Sequence, residues 1–159
     1  MQTKEMIFLT RDEVKEIERV VEKNYGAKFS LKEFAVAKGK EEKIWISSKE
    51  IFDFNLSKLN VNSFGLNFGK LKRNDKIHLT IEGSQMVGKL ATKNLVVLDE
   101  ENAIKFMQGP DVKPKEEVNC EYHNFVIVKY KDKILGSSLL TEQGLKNMTP
   151  KSRRIPLIL

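Results

Sequence analysis

Early in the chain, apolar positions recur at the helical period: Val14, Ile17, Val20 and Val21 form one stripe, while Lys15, Glu16, Glu18, Arg19, Glu22 and Lys23 fill the remaining surface. This pattern predicts an amphipathic helix with one buried face. Thr10 stands three residues before Glu13, the spacing of a capping box, and Gly26 supplies the stop. A short apolar strand, Met6 to Leu9, precedes the helix. Two further runs, 34–38 and 43–46, flank Gly39-Lys40-Glu41-Glu42 and predict a hairpin with a charged tip, with Trp45 anchoring a core. Ser48 then starts a short helix carrying Ile51, Phe52 and Leu56.

From Asn60 the period shortens to two. Residues 61–71 alternate around Phe64, Leu66 and Phe68, and Gly65 and Gly69 mark a bulge, a bend or a close backbone approach. Arg73-Asn74-Asp75 reads as a turn before a strand over 77–81, and residues 82–91 read as a short helix. The apolar run 95–98 predicts a buried strand. Asp99 caps a helix carrying Ala103, Ile104, Phe106 and Met107, which Gly109-Pro110 ends. A strong hairpin follows, Phe125 to Tyr130 and Ile134 to Leu140, over Lys131-Asp132-Lys133. The fold class expected is α+β: a small α/β unit over residues 1–59, then a β-rich unit over 60–159. No long linker separates the halves, so they should touch.

Composition narrows the function classes. The 159 residues carry 28 Lys and Arg against 22 Asp and Glu, a net charge of +6, and 40% of them are hydrophobic. The field favours an anionic partner, yet acids and bases are interspersed along most of the chain. The single cysteine, Cys120, allows no intramolecular disulfide and reads as a small buried side chain. With His123 it makes C-x-x-H, but two further soft ligands at suitable spacing are lacking, so no metal is expected. His78 reads as a core or surface histidine. Gly83 to Gly88 has the glycine spacing of a phosphate loop, but Lys89-Leu90 follows where Lys-Ser or Lys-Thr is needed. Glu100 and Glu101 sit where carboxylates favour the positive end of a helix. No nucleophile and base come together, so the chain reads as a non-enzyme without a cofactor. The N-terminus lacks a signal-peptide pattern and the apolar runs are too short to span a bilayer, which predicts no membrane association and a cytoplasmic address.

The most distinctive stretch closes the chain. Leu145-Lys146-Asn147-Met148-Thr149-Pro150-Lys151-Ser152-Arg153-Arg154 places four cations and a rigid proline after paired strands, with no acid between Gln143 and Leu159. Such a segment can grip a polyanion, and the alternative is a solvated basic tail. Lys70, Lys72 and Arg73, with Lys76, form a second basic group; Lys113 and Lys115 are weaker candidates beside Glu116 and Glu117.

The order Gly109-Pro110-Asp111-Val112, Phe125-Val126-Ile127-Val128, Ile134-Leu135-Gly136 and the basic finish resembles a PUA domain. More narrowly, Leu135-Gly136 with Gly144-Leu145-Lys146-Asn147 and Pro150-Lys151-Ser152-Arg153-Arg154 resembles the C-terminal RNA-binding domain of the Sun/Fmu family of RNA cytosine-5 methyltransferases. Ser63-Phe64-Gly65-Leu66 with Gly69, and Glu100-Glu101-Asn102-Ala103, fall in the same order. The resemblance covers residues 60–155. It implies a partly open mixed β-barrel with short helices, RNA contacts from Lys146, Asn147, Lys151, Arg153 and Arg154, and shape-keeping roles for Gly109 and Gly136. Asn147 could instead only shape a turn.

Methyl transfer to cytosine needs a cysteine nucleophile and a donor-binding domain. Cys120 follows Asn119 rather than the proline that precedes the family's nucleophile, and the chain has no Gly-rich turn of the donor-binding type. The expected function is RNA binding, to structured rRNA or tRNA, in ribosome biogenesis, rRNA processing or RNA modification. A methyltransferase or ribosome assembly protein would be the protein partner. The competing readings are a scaffold whose N-terminal unit docks such a protein, and a small enzyme acting on a nucleotide in the barrel groove.

Overall fold

The computed structural model describes residues 6–55 and 65–156. Helix α1 (Arg11–Tyr25) begins as its sequence dictates. The Thr10 hydroxyl accepts from the Glu13 amide, the Glu13 carboxylate accepts from the Thr10 amide at 3.0 Å, and Gly26 closes the helix at φ 62°. Its apolar stripe, Val14, Ile17, Val20 and Val21, is buried.

The first sheet is wholly antiparallel, in the order β1 (Ile7–Phe8), β2 (Phe34–Lys38), β3 (Lys43–Ser48), β4 (Leu66–Lys72) and β5 (Lys76–Leu79). Ser48 accepts from the Glu50 amide and starts a 3-10 turn over Lys49–Asp53. Trp45 is half-buried against the small cluster of Met6, Phe8, Ala35 and Ala37. Strands β4 and β5 follow residue 60 in sequence, yet β4 hydrogen-bonds to β3, with Trp45 opposite Asn67. One sheet therefore runs across the boundary expected between residues 59 and 60. The readings placed on Leu56, Ser63 and Phe64 lie outside the described residues.

After α2 (Ile81–Gly88) come β6 (Leu95–Val97), α3 (Glu100–Gln108), β7 (Glu116–Val118), β8 (Asn124–Tyr130), β9 (Lys133–Thr141) and β10 (Gly144–Lys146). The second sheet has the order β10-β9-β8-β6-β7, and β6 pairs β8 in parallel across α3 and β7. Strands β7 and β10 were not anticipated. β7 is Glu-Glu-Val, an edge strand whose exposed acids blunt further pairing. β10 is three residues long, too short for its alternation to register.

The α+β architecture is packed on both faces of the second sheet. In β8, Ile127 joins the core shared with α1 and the first sheet, while Val126 and Val128 face Ala103, Phe106, Leu140 and Leu145 on the α3 side. Helix α2 packs against both β4 and β9, so the two sheets meet along it. The junction also has a polar lock. The Asn94 amide donates to the Asn24 carbonyl at 2.5 Å, Asn24 donates to the Val20 and Asp75 carbonyls, and the buried Tyr25 hydroxyl donates to the Ile77 carbonyl at 3.0 Å. Each donor in this lock finds an acceptor, as its desolvation demands.

Candidate nucleic-acid interface

Asn147 organises the closing segment. Its side-chain amide donates to the Phe106 carbonyl at 2.7 Å and the Pro110 carbonyl at 2.9 Å, and its Oδ1 accepts from the Thr149 amide at 2.9 Å. Its own backbone amide donates to Asp111 Oδ1 at 2.8 Å. Both amide donors and one acceptor position of that side chain are used within the fold, the geometry of a turn-shaping residue. The segment it pins leaves β10, turns at Pro150 into a 3-10 turn over Lys151–Arg153, and returns to α3 where the Ile155 amide donates to the Met107 carbonyl.

The four cations of the segment are therefore held differently. Lys146 and Lys151 are exposed, and no carboxylate among the described residues pairs with them. Arg154 is also exposed; its Nε donates to the Thr149 carbonyl at 3.2 Å and its side chain lies over Gly109. A side chain on Gly109 would collide with it, and at φ 116° the residue also closes α3. Gly136 is buried in β9 at φ 151°. Arg153 is engaged: its two terminal nitrogens fork onto Glu82 at 2.9 and 2.6 Å, holding that carboxyl below its ordinary range. Its charge is balanced locally.

The second basic group lies on the first sheet. Lys70 reaches Glu41 at 3.5 Å, Lys72 lies 6.0 Å over the Phe125 ring, and Arg73 is exposed at the β4–β5 turn. Lys76 donates to the His123 carbonyl at 2.8 Å. Lys113 stands beside Gly144, and the same antiparallel bridge sets Asp111 across from Lys146, which sequence distance concealed.

Register exposes one feature that the sequence reading missed. Lys43 pairs with Lys70, and Lys70 with His78, so three basic side chains form a row across β3, β4 and β5. All three line a half-open cleft of about 370 Å3 between the sheets. Its other walls are the start of α2 (Thr80, Ile81 and Glu82), Ser137 of β9, and the closing segment from Met148 to Pro150 with Ser152 and Arg153. The cleft thus brings Lys70 and Arg153 to one place, and leaves Lys146 and Lys72 outside its lining. His78 stacks on Phe125 at 4.7 Å, and burial, reinforced by Lys72 and Lys70, pushes its pKa down to about 4.

The other titratable candidates are held apart. His123 is exposed and meets Glu142 at 2.9 Å. The Cys120 thiol points to the Leu95 carbonyl at 3.1 Å, and burial raises its pKa. Among the described residues no group of three His, Cys, Asp or Glu side chains could hold a metal, and no helix is long and apolar enough to cross a membrane.

Residues 93–155 match the family described as the methyltransferase RsmF PUA domain. A ribosomal RNA small subunit methyltransferase F from Aeromonas salmonicida (strain A449) is 29% identical over 113 residues, 71% of this chain and 23% of that protein. The chain thus spans about a quarter of the length of that relative. Among solved structures, a conserved PUA domain protein from Thermoplasma acidophilum superposes with a TM-score of 0.60 at 10% identity, covering 86% of this chain and 80% of that one. A PUA domain from Aeropyrum pernix K1, solved as a tartrate complex, superposes at 0.54 with 13% identity over 96% of this chain and 85% of its own. A hypothetical protein from Pyrococcus horikoshii OT3 gives 0.53 at 15% identity, over 93% and 85%. Fold and sequence agree that this chain carries a PUA-like domain resembling the C-terminal domain of the Sun/RsmF RNA methyltransferases.

Proposed function

We propose that the protein binds structured RNA, with Lys146, Lys151 and Arg154 as the principal phosphate contacts. The observation that carries this reading is the pinned closing segment: Asn147 fixes the backbone, so three cations without carboxylate partners are presented on an ordered rim rather than on a free tail. Preorganised cations lose less conformational entropy on meeting phosphates. Lys70, Lys72 and Arg73 contribute a secondary basic face, Arg153 acts mainly as a strap to Glu82, and Asn147, Gly109 and Gly136 keep the shape.

The similarity to an rRNA methyltransferase favours rRNA over tRNA, in RNA modification or ribosome biogenesis, and a cytoplasmic setting follows from that partner. We assign residues 60–159 as the RNA-binding unit, supported by residues 1–59, with no catalytic role for the chain. A methyltransferase or ribosome assembly protein would be its protein partner. A scaffold reading has one observation in its favour: Phe52 and Phe54 are 44% and 66% exposed beside the first sheet.

Fluorescence titration against rRNA and tRNA pools over a salt series tests the proposal. Binding that weakens steeply with salt, on the scale of about three phosphates, is expected. No binding at low salt would refute it.

A further inference from the structure

We propose that the cleft between the two sheets receives one unpaired nucleotide of the bound RNA, its phosphate against Lys43 and Lys70 and its base edge against Asn67. This rests on the RNA-binding reading and adds to it a site that charge alone does not create. At about 370 Å3 the cleft falls within the roughly 300–1,000 Å3 that small-molecule sites occupy.

Three features converge on a nucleotide. First, Lys43 and Lys70 stand directly opposite on neighbouring strands, an arrangement that costs stability unless an anion offsets it. Glu41, 3.5 Å from Lys70, offers only one exposed carboxylate to the pair. Second, two residues lining the cleft carry buried polar atoms with no hydrogen-bond partner: Asn67 Oδ1 and Ser137 Oγ. The Ser137 hydroxyl lies beside that of Tyr25, whose hydrogen goes to the Ile77 carbonyl. An orphaned amide oxygen calls for an N–H donor, which the edge of a nucleobase supplies. Third, the β3–β4 register shifts between Ile44 and Trp45, so that Asn67 and Lys70 share a face although they lie three positions apart. Bulges of this kind re-aim side chains beside functional sites. The apolar wall from Leu79, Ile81, Met148 and Pro150 suits the face of a base, and His78 at about pKa 4 is a neutral neighbour at pH 7.

The test uses the full chain with three RNA probes of one sequence: a hairpin with a single bulged adenosine, the same hairpin with an abasic bulge, and its fully paired version. A parallel titration follows adenosine monophosphate alone by amide NMR. We expect the bulged hairpin to bind about tenfold tighter than the other two, with shifts at Gly69 and Ser137. Ser152→Trp, which fills the cleft from its exposed rim, should erase that preference. Asn67→Leu should reduce the preference about three- to tenfold with unchanged or raised thermal stability, since it removes an unmade hydrogen bond. Equal affinity for all three hairpins, at measurable binding, overturns the cleft proposal while leaving RNA binding standing. Saturable shifts with the mononucleotide but no preference among hairpins would assign the cleft to a free nucleotide and overturn the RNA-borne source. Loss of all RNA binding would instead refute the proposed function.

Discussion

Arg153 and Glu82 lie 71 residues apart and are joined by two hydrogen bonds, at 2.9 and 2.6 Å, that strap the closing segment to the first turn of α2. In sequence Arg153 belongs to the most basic stretch of the chain, with no acid nearby. In the fold its charge is already matched.

The first prediction follows from that pairing. Glu82→Gln should release Arg153 toward solvent and tighten RNA binding about two- to fivefold, the scale of one exposed charge contact. Arg153→Ala should cost less affinity than Lys151→Ala, because the wild-type arginine is engaged. Filter-binding of the three variants against one structured RNA measures both comparisons, and a larger loss from Arg153→Ala would reassign Arg153 to direct contact.

Asn147 gives a prediction about stability rather than charge. Replacing it by Ala removes the donors to Phe106 and Pro110 and the acceptor for Thr149, at a cost of about 2–3 kcal/mol. Lys146→Ala, one residue away, should leave thermal stability within about 0.5 kcal/mol. Thermal melts of the two variants should separate clearly; superimposable melts would contradict the anchoring role.

His78 sets a pH dependence whose sign is fixed. Its pKa falls from the ordinary histidine value of 6.5 to about 4 on folding, so the unfolded chain binds more protons between those limits and stability rises with pH there. The contribution is full above pH 6.5 and is lost as pH falls toward 4. At pH 5 the loss amounts to about 2 kcal/mol, or a drop in Tm of roughly 5 °C relative to pH 7. His78→Phe keeps an aromatic ring against Phe125 and should flatten that drop. A wild-type Tm that does not change between pH 7 and pH 5 would rule the mechanism out.

Cys120 is expected to be chemically quiet. Burial raises its thiol, and the Leu95 carbonyl takes its hydrogen, so alkylation at pH 7.5 should run slower than for a free thiol. Cys120→Ala should leave RNA affinity unchanged. Incorporation of labelled methyl groups into RNA by the pure chain, abolished by that replacement, would contradict its non-catalytic assignment.

What the sequence disclosed depended on range. The α1 capping box, the Gly26 and Gly109 stops and the β8–β9 hairpin are decided by residues within a few positions of one another, and each was legible. The basic row Lys43–Lys70–His78 was hidden because it depends on which strands pair and on a register shift at Ile44/Trp45. Periodicity alone would set Asn67 and Lys70 on opposite faces of β4. For Asn147 and Arg153 nothing in the sequence signalled the partners that hold them in the fold. Those partners, Phe106, Pro110 and Glu82, come from other elements.

The most direct test of the account compares two triple variants of equal charge change, Lys146→Ala/Lys151→Ala/Arg154→Ala and Lys15→Ala/Arg19→Ala/Lys23→Ala. The second set lies on α1, where Arg19 and Lys23 pair with Asp75 and Arg19 also with Glu16. With folding confirmed by circular dichroism, RNA affinity is measured for both across a salt series. Direct phosphate contact predicts at least about a tenfold loss for the closing-segment set, with a salt slope reduced by two to three contacts, and little change for the α1 set. Equal losses and equal slopes from the two sets would mean that a diffuse field holds the RNA, and would contradict the assignment of the interface.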